Sequence, residues 1–226
     1  MRKFVSKNVA LVALLAVAFT ALAAATATVA KRSGAAPPSA AAKDPRSLRE
    51  KSRLGRGKFV GNVEFNKGAM KGDLAQLVAH SAAVVVATVE ENQCAMSGDE
   101  RVIRTYYKVR VEEVLKGGVE VGSALTMSVP GGKVGFEDGS TAETQAMWFR
   151  KLVNHRRYVL FLDQKGRADE FVTTGGPQGV YELPADGQGV VTHSGLREDP
   201  LRQYDKKDVQ EFLKEVRAAA KKKKNA

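Results

Sequence analysis

A bend in one alternating pattern constrains this chain most. In "RTYYKVRVEEV" (104–114), Thr105, Tyr107, Val109 and Val111 fall on one side, and Arg104, Tyr106, Lys108 and Arg110 on the other. A period of two is that of a β-strand with one face toward a core. The next apolar residue is Val114, so the phase slips by one. A bulge near Glu112 and Glu113 accounts for the slip, and a bulged strand bends. A long bent strand wraps around a core instead of lying in a flat sheet.

Other segments supply partners for it. "AVVVATVEE" (83–91) is apolar on both faces before it alternates, and "ALTMSV" (124–129) turns Leu125, Met127 and Val129 inward. "RYVLFLD" (157–163) is apolar throughout, as a strand covered on both faces must be. "EFVTT", "QGVYEL" and "GVVTH" (189–193) add short strands. These patterns predict a mainly β fold: a small closed antiparallel OB-like barrel of roughly five to six strands, with an open sandwich as the alternative. A short helix precedes it, with Asp73 as N-cap and Leu74, Leu77 and Val78 on one face. Near the far end, Asp205 with Asp208 reads as a capping box. Val209, Phe212, Leu213 and Val216 then form the face through which a C-terminal helix docks.

The glycine-rich stretch "EFVTTGGPQGVYEL" (170–183) lies between two strands. A phosphate-binding loop runs from a strand into a helix and carries Lys-Ser or Lys-Thr. Here a strand follows and no such lysine does, so the loop turns the chain. Gly175 and Gly176 permit positive φ, and Gly179 allows a close approach of backbone.

Taken in order, "LVAHSAAVVVATVEE", "YYKVRVEEVLKG", "LTMSVPGG", "YVLFLD" and "GGPQGVYEL" resemble a group of exported bacterial proteins with a netrin-like, TIMP-like version of the OB barrel. The resemblance spans residues 74–183 and implies the fold and the compartment. It carries no activity with it. Tissue inhibitors of metalloproteinases chelate zinc through an N-terminal cysteine, whereas the single cysteine here, Cys94, is internal. The group is also expected to place a glycine in the turn before "YVLFL", where this chain reads "NHRR".

The ends of the chain set its expected location. Arg2, Lys3 and Lys7 precede an apolar run from Val9 to Ala25, then Ala25-Thr26-Ala27 or Thr28-Val29-Ala30 in A-x-A spacing. Residues 1–30 read as a secretory signal peptide, with an uncleaved anchor as the alternative. The protein is accordingly expected to be exported, to the periplasm or beyond. Residues 31–58 carry net charge +7 and read as a basic disordered linker; residues 206–226 carry net +5. The barrel region, 59–205, is net −4 although the whole chain is +11. Basicity thus lies in the tails. A nucleic-acid groove puts its charge on the fold, so a polynucleotide partner is not expected. Lys221, Lys222, Lys223 and Lys224 are candidates for a tether to anionic envelope polymers or lipid head groups.

Motifs for chemistry are sparse. His80, His155 and His193 stand alone, and no Cys/His spacing fits a metal. Cys94 has no local activating base. No cofactor is called for, and no catalytic residue is assigned. The long segment "PGGKVGFEDGSTAETQAMWFRKL" (130–152) holds the only tryptophan. Trp148 either caps the open end of the barrel or, with Phe149, anchors a protein partner. Tyr106, Lys108 and Arg110, on the outward face of the bent strand, are further partner-binding candidates. The reading that follows is a non-catalytic binding module. An inhibitor of an extracellular hydrolase acting through 131–150, or a hydrolase with a dispersed site, are its rivals.

Overall fold

The computed structural model describes residues 44–164 and 170–222. The run around Val159 forms β7 (Arg157–Gln164), which pairs antiparallel with β2 (Ala83–Met96). Both strands are apolar on two faces because each is covered twice. Val85, Ala87, Tyr158, Leu160 and Leu162 belong to one core, and Val84, Val86, Val159 and Phe161 to another. β2 also pairs with β3 (Ile103–Lys116), which pairs with β4 (Ala124–Pro130). β8 (Glu170–Thr173) then lies parallel to β4 and antiparallel to β7. Each of these five strands is therefore bonded to two others, and the hydrogen bonding closes into a ring. The predicted bulge is present: Val86 pairs with Glu113 and Ala87 with Val111, leaving Glu112 as the extra residue.

β9 (Val180–Leu183) extends the sheet from β7, and β10 (Val191–Thr192) pairs with β9. A second sheet was not anticipated. In it β6 (Thr141–Gln145) is central, antiparallel to β5 (Gly132–Gly135) and parallel to β1 (Lys58–Asn62). There are thus ten strands in two sheets among the described residues, more than the sequence patterns indicated.

The expected linker is corrected over its last part. Ser47 starts α1 (Leu48–Leu54) with a reciprocal capping box, its hydroxyl accepting from Glu50 N–H and the Glu50 carboxylate accepting from Ser47 N–H. Leu48 is buried with Ile103 and Ala142, against Phe59, Met96 and Val134. Three of the nine basic residues of 31–58, Arg49, Lys51 and Arg53, lie on this helix, and their charge concealed a short apolar anchor. Arg49 pairs with Glu100 at 2.9 Å and Arg53 with Asp138 at 2.9 Å. The remaining expectations for 1–43, including the signal peptide, lie outside the described residues, as do Lys223 and Lys224.

α2 (Leu74–His80) starts at Asp73, whose carboxylate accepts from Gln76 N–H at 2.7 Å. Lys116 closes its other end, its ammonium donating to Val78 O and Ser81 O, both at 2.6 Å. A cation is favoured there by the helix dipole and the unpaired carbonyls. α3 (Val209–Lys222) docks as expected through Phe212, Leu213 and Val216, and Arg217 holds Glu113 with two nitrogen–oxygen contacts of 2.9 Å. Its cap is Asp208, which accepts from Glu211 N–H at 3.0 Å. Asp205, the expected cap, instead accepts from Thr192 N–H at 3.1 Å and ties β10 to the segment before the helix.

The glycine-rich stretch turns the chain through a short 3-10 segment, Gly176–Gly179, into β9. A Cβ on Gly179 would lie 2.6 Å from Thr174 O and 2.9 Å from Phe161 O, so only glycine fits. In the turn before β7, where a glycine was expected, His155 holds φ +64. A left-handed conformation costs an L-residue ~1–2 kcal/mol, and glycine loses ~0.5–1 kcal/mol of that advantage to entropy. His155 is exposed. His155→Gly should therefore raise stability by about 0.5–1 kcal/mol in urea unfolding; a loss would mean that the imidazole contributes contacts that outweigh the strain.

Candidate functional site at the open end of the ring

The ring's interior is filled, but its end between β3, β4 and the second sheet is open. A cleft of about 300 Å³ lies there. Its floor is Tyr107, Val129 and Phe149, all buried members of the ring's core. One side is Pro130–Gly132 and the other runs from Glu143 to Met147, with Lys151 beyond. Mouths of β-barrels are a recurrent place for ligand sites because an apolar floor meets polar rims there.

Local chemistry builds each wall. Gly131 donates its N–H to Ile103 O at 2.9 Å, and its carbonyl accepts from the Thr105 hydroxyl at 2.8 Å. Gly132 follows at φ +138, and a Cβ there would sit 2.7 Å from Cys94 Sγ and 2.9 Å from Thr105 Oγ1. The chain can press this close to β2 and β3 only without a side chain. Across the cleft, β6 spends its backbone on β1 and β5, so it offers side chains alone. Gln145 donates to the Glu143 carboxylate at 2.8 Å. Thr144 Oγ1 is buried and has no hydrogen-bond partner. Such an atom costs about 1–3 kcal/mol when left unmet, and a hydroxyl both donates and accepts. Burial pushes the Tyr107 hydroxyl up to about 12, against an opposing pull from the Leu152 backbone, so it stays protonated at the floor.

Trp148 does fold back. Its indole N–H donates to Val63 O at 2.8 Å, its ring is 4.8 Å from that of Phe65, and it is half-buried. Phe149 is 8% exposed and bridges to Ser194, so its ring is held in the core and is not a surface anchor. The exposed apolar residue of this stretch is their neighbour Met147, at 74%.

The second group of candidates is elsewhere, on the outer face of β3. Lys108 meets Glu91 at 3.3 Å, and Arg110 meets Glu90 at 2.5 Å and donates to Gly122 O at 3.1 Å. Tyr106 lies between Gln93 and Ser128 in register and is half-buried. Arg157 similarly meets Glu112 at 2.7 Å. These cations face carboxylates on neighbouring strands, so the face carries paired charge and no positive stripe. Exposed pairs of this kind contribute little and are screened by salt.

Lys221 is exposed in the last turn of α3, which ends at Lys222. His80 is exposed, with Nδ1 2.8 Å from Gln76 O. His193 is buried. Cys94 is half-buried, its sulfur 3.5 Å from Thr105 Oγ1. Among the described residues no group of three or more His, Cys, Asp or Glu could hold a metal ion, and no helix is long and apolar enough to cross a membrane.

The cleft residues Glu143, Thr144, Gln145 and Lys151 lie in the long segment 130–152 that the sequence marked, but none of them was singled out within it. The signal that could have found them is Asp138-Gly139, a hairpin turn pair between two short runs. Compared with models of protein families, the chain matches none, and a comparison with curated proteins likewise finds no match.

Proposed function

We propose that this chain is an exported, non-catalytic binding module that receives an apolar side chain of a protein partner at the open end of the ring. The observation that carries this reading is the cleft itself: an apolar floor of Tyr107, Val129 and Phe149, with Met147 exposed on the rim. A side chain entering on the floor brings backbone amide and carbonyl groups to the wall, where the hydrogen-bonded side chains of Glu143 and Gln145 offer polar partners. The five-strand closure, with its third and fifth strands parallel, supports an OB-type Greek-key reading of the ring. The netrin-like resemblance belongs to the same proposal. Export rests on the signal-like residues 1–30, and attachment to anionic envelope polymers or lipid head groups rests on the basic tails.

Co-sedimentation of the full chain with purified envelope fractions across a salt series separates these parts. Replacing Lys221–Lys224 with Gln should remove the salt-sensitive fraction of binding. Met147→Glu should weaken the salt-resistant fraction by about tenfold, ~1.4 kcal/mol, because it sets a charge on an apolar rim. Salt-resistant binding identical in Met147→Glu and the parent would sink the cleft as the site.

A further inference from the structure

Residues 148–150, which carry the floor residue Phe149 and join the lining residues Met147 and Lys151, are fastened from behind. Gly195 N–H donates to Trp148 O at 2.8 Å and Arg150 N–H to His193 O at 3.1 Å. Between them, His193 Nδ1 lies 2.7 Å from Arg150 O. A carbonyl only accepts, so Nδ1 carries hydrogen. The remaining nitrogen, Nε2, points the other way, 3.4 Å from Glu182 Oε2. The other oxygen of Glu182 accepts from Arg156 at 2.6 Å.

This leaves one atom whose proton decides the contact. Without a proton, the Nε2 lone pair faces a carboxylate lone pair. With one, the imidazolium bridges the Arg150 carbonyl and β9, and both of its hydrogen bonds become charge-assisted. We propose that His193 and Glu182 form a proton-operated clamp on residues 148–150, the segment that carries the floor residue Phe149 and joins the lining residues Met147 and Lys151. This rests on the cleft being the binding site.

The groups around His193 are few. Glu182 faces it from β9, Arg156 stands behind Glu182, and Arg150 contributes its carbonyl and its charge from the clamped segment. Tyr158 of β7 meets the ring edge-on at 5.3 Å, its hydroxyl accepting from Val153 N–H at 2.9 Å, and Phe149 lies at 6.3 Å. His193 is 3% exposed. Burial is the largest influence and holds the imidazole below its ordinary range, opposed by the Arg150 carbonyl and Glu182. The sign follows. Between the ordinary value of about 6.5 and the lowered one, the unfolded chain binds a proton that the folded chain does not. Stability contributed here is present above that window and is lost as pH falls through it. The clamp closes only below it.

The single tryptophan sits in the clamped segment and reports on it. The experiment is a pH titration of the full chain, following Trp148 fluorescence and the ¹⁵N shifts of the His193 ring in parallel. The two are expected to share one midpoint below about 6.5. Glu182→Gln should lower that midpoint by about one pH unit, because it removes the charge that favours the imidazolium. His193→Gln, which keeps an amide donor for Arg150 O, should abolish the fluorescence step. Flat Trp148 emission through the His193 titration, an unmoved midpoint in Glu182→Gln, or a surviving step in His193→Gln would each overturn the clamp. None of these outcomes bears on the envelope-binding test of Met147→Glu, so the two readings fail separately.

Discussion

Phe212→Ala is expected to destabilise the protein by about 3–5 kcal/mol, seen as a lower urea midpoint with an unchanged slope. Phe212 has no exposed surface. Its ring lies 4.7 Å from Tyr181 and 5.5 Å from Tyr204, on the outer side of the sheet where Val84, Val159 and Phe161 also face. Truncation removes the transfer energy of an aromatic side chain and leaves a cavity that two rigid rings cannot collapse to fill. Leu213 and Val216 remain but flank the gap, so α3 loses its central contact. A cost under about 1 kcal/mol, the range of surface substitutions and minor repacking, would show that α3 is not docked on the sheet in solution.

The second large effect falls on a polar side chain. Gln178 is fully buried, and its amide is saturated. Oε1 accepts from Lys71 N–H at 2.6 Å, while Nε2 donates to Lys71 O at 3.0 Å and to Asp199 Oδ1 at 2.7 Å. Asp199 is itself buried, with Leu201 N–H on the same oxygen and no partner for Oδ2. One glutamine therefore joins the segment before α2, the glycine-rich turn and the segment before α3. Gln178→Leu conserves volume yet strips a donor and an acceptor of Lys71 and one of two donors to Asp199, with an expected cost of about 2–4 kcal/mol. Gln178→Glu should be worse at neutral pH, since it sets a second carboxylate against Asp199 in a dry setting. If thermal melts show Gln178→Leu equal to the parent, the network is incidental and apolar packing sets the position of these segments.

These two residues also show what the sequence disclosed. The apolar face containing Phe212 was legible because a period of 3.6 needs no tertiary information. The bulge at Glu112 and the double covering of β7 were legible for the same reason, since phase and composition record which faces are buried. Gln178 was not, for a buried glutamine looks like an exposed one until Lys71 and Asp199, distant in sequence, are placed around it. The second sheet was missed because β5 reads only "GKVG" and β6 "TAETQ". Such runs are too short and too polar to declare a strand, and they are held mainly by pairing with each other and with β1. α1 was hidden by its charge. Of the cleft, the sequence disclosed Trp148 but mistook the outward residue: in "AMWF" the aromatics turn into the molecule and Met147 faces solvent.

The β2–β3 hairpin is longer than the ring requires. Each strand has 14 residues. Near the ring Val85, Val89 and Val109 lie in its core, while farther out Cys94, Met96 and Ile103 meet Leu48, Phe59 and Ala142 under the second sheet. One continuous pair of strands thus belongs to two cores that share no buried residue. Loosening either core withdraws support from the common ladder, so the small sheet, with too little apolar surface to stand alone, borrows its cooperativity from the ring. The outer sheet is then an appendage only in appearance. In unfolding, it and the ring are therefore expected to behave as a single unit, and a partner seated in the cleft between them would stabilise both at once.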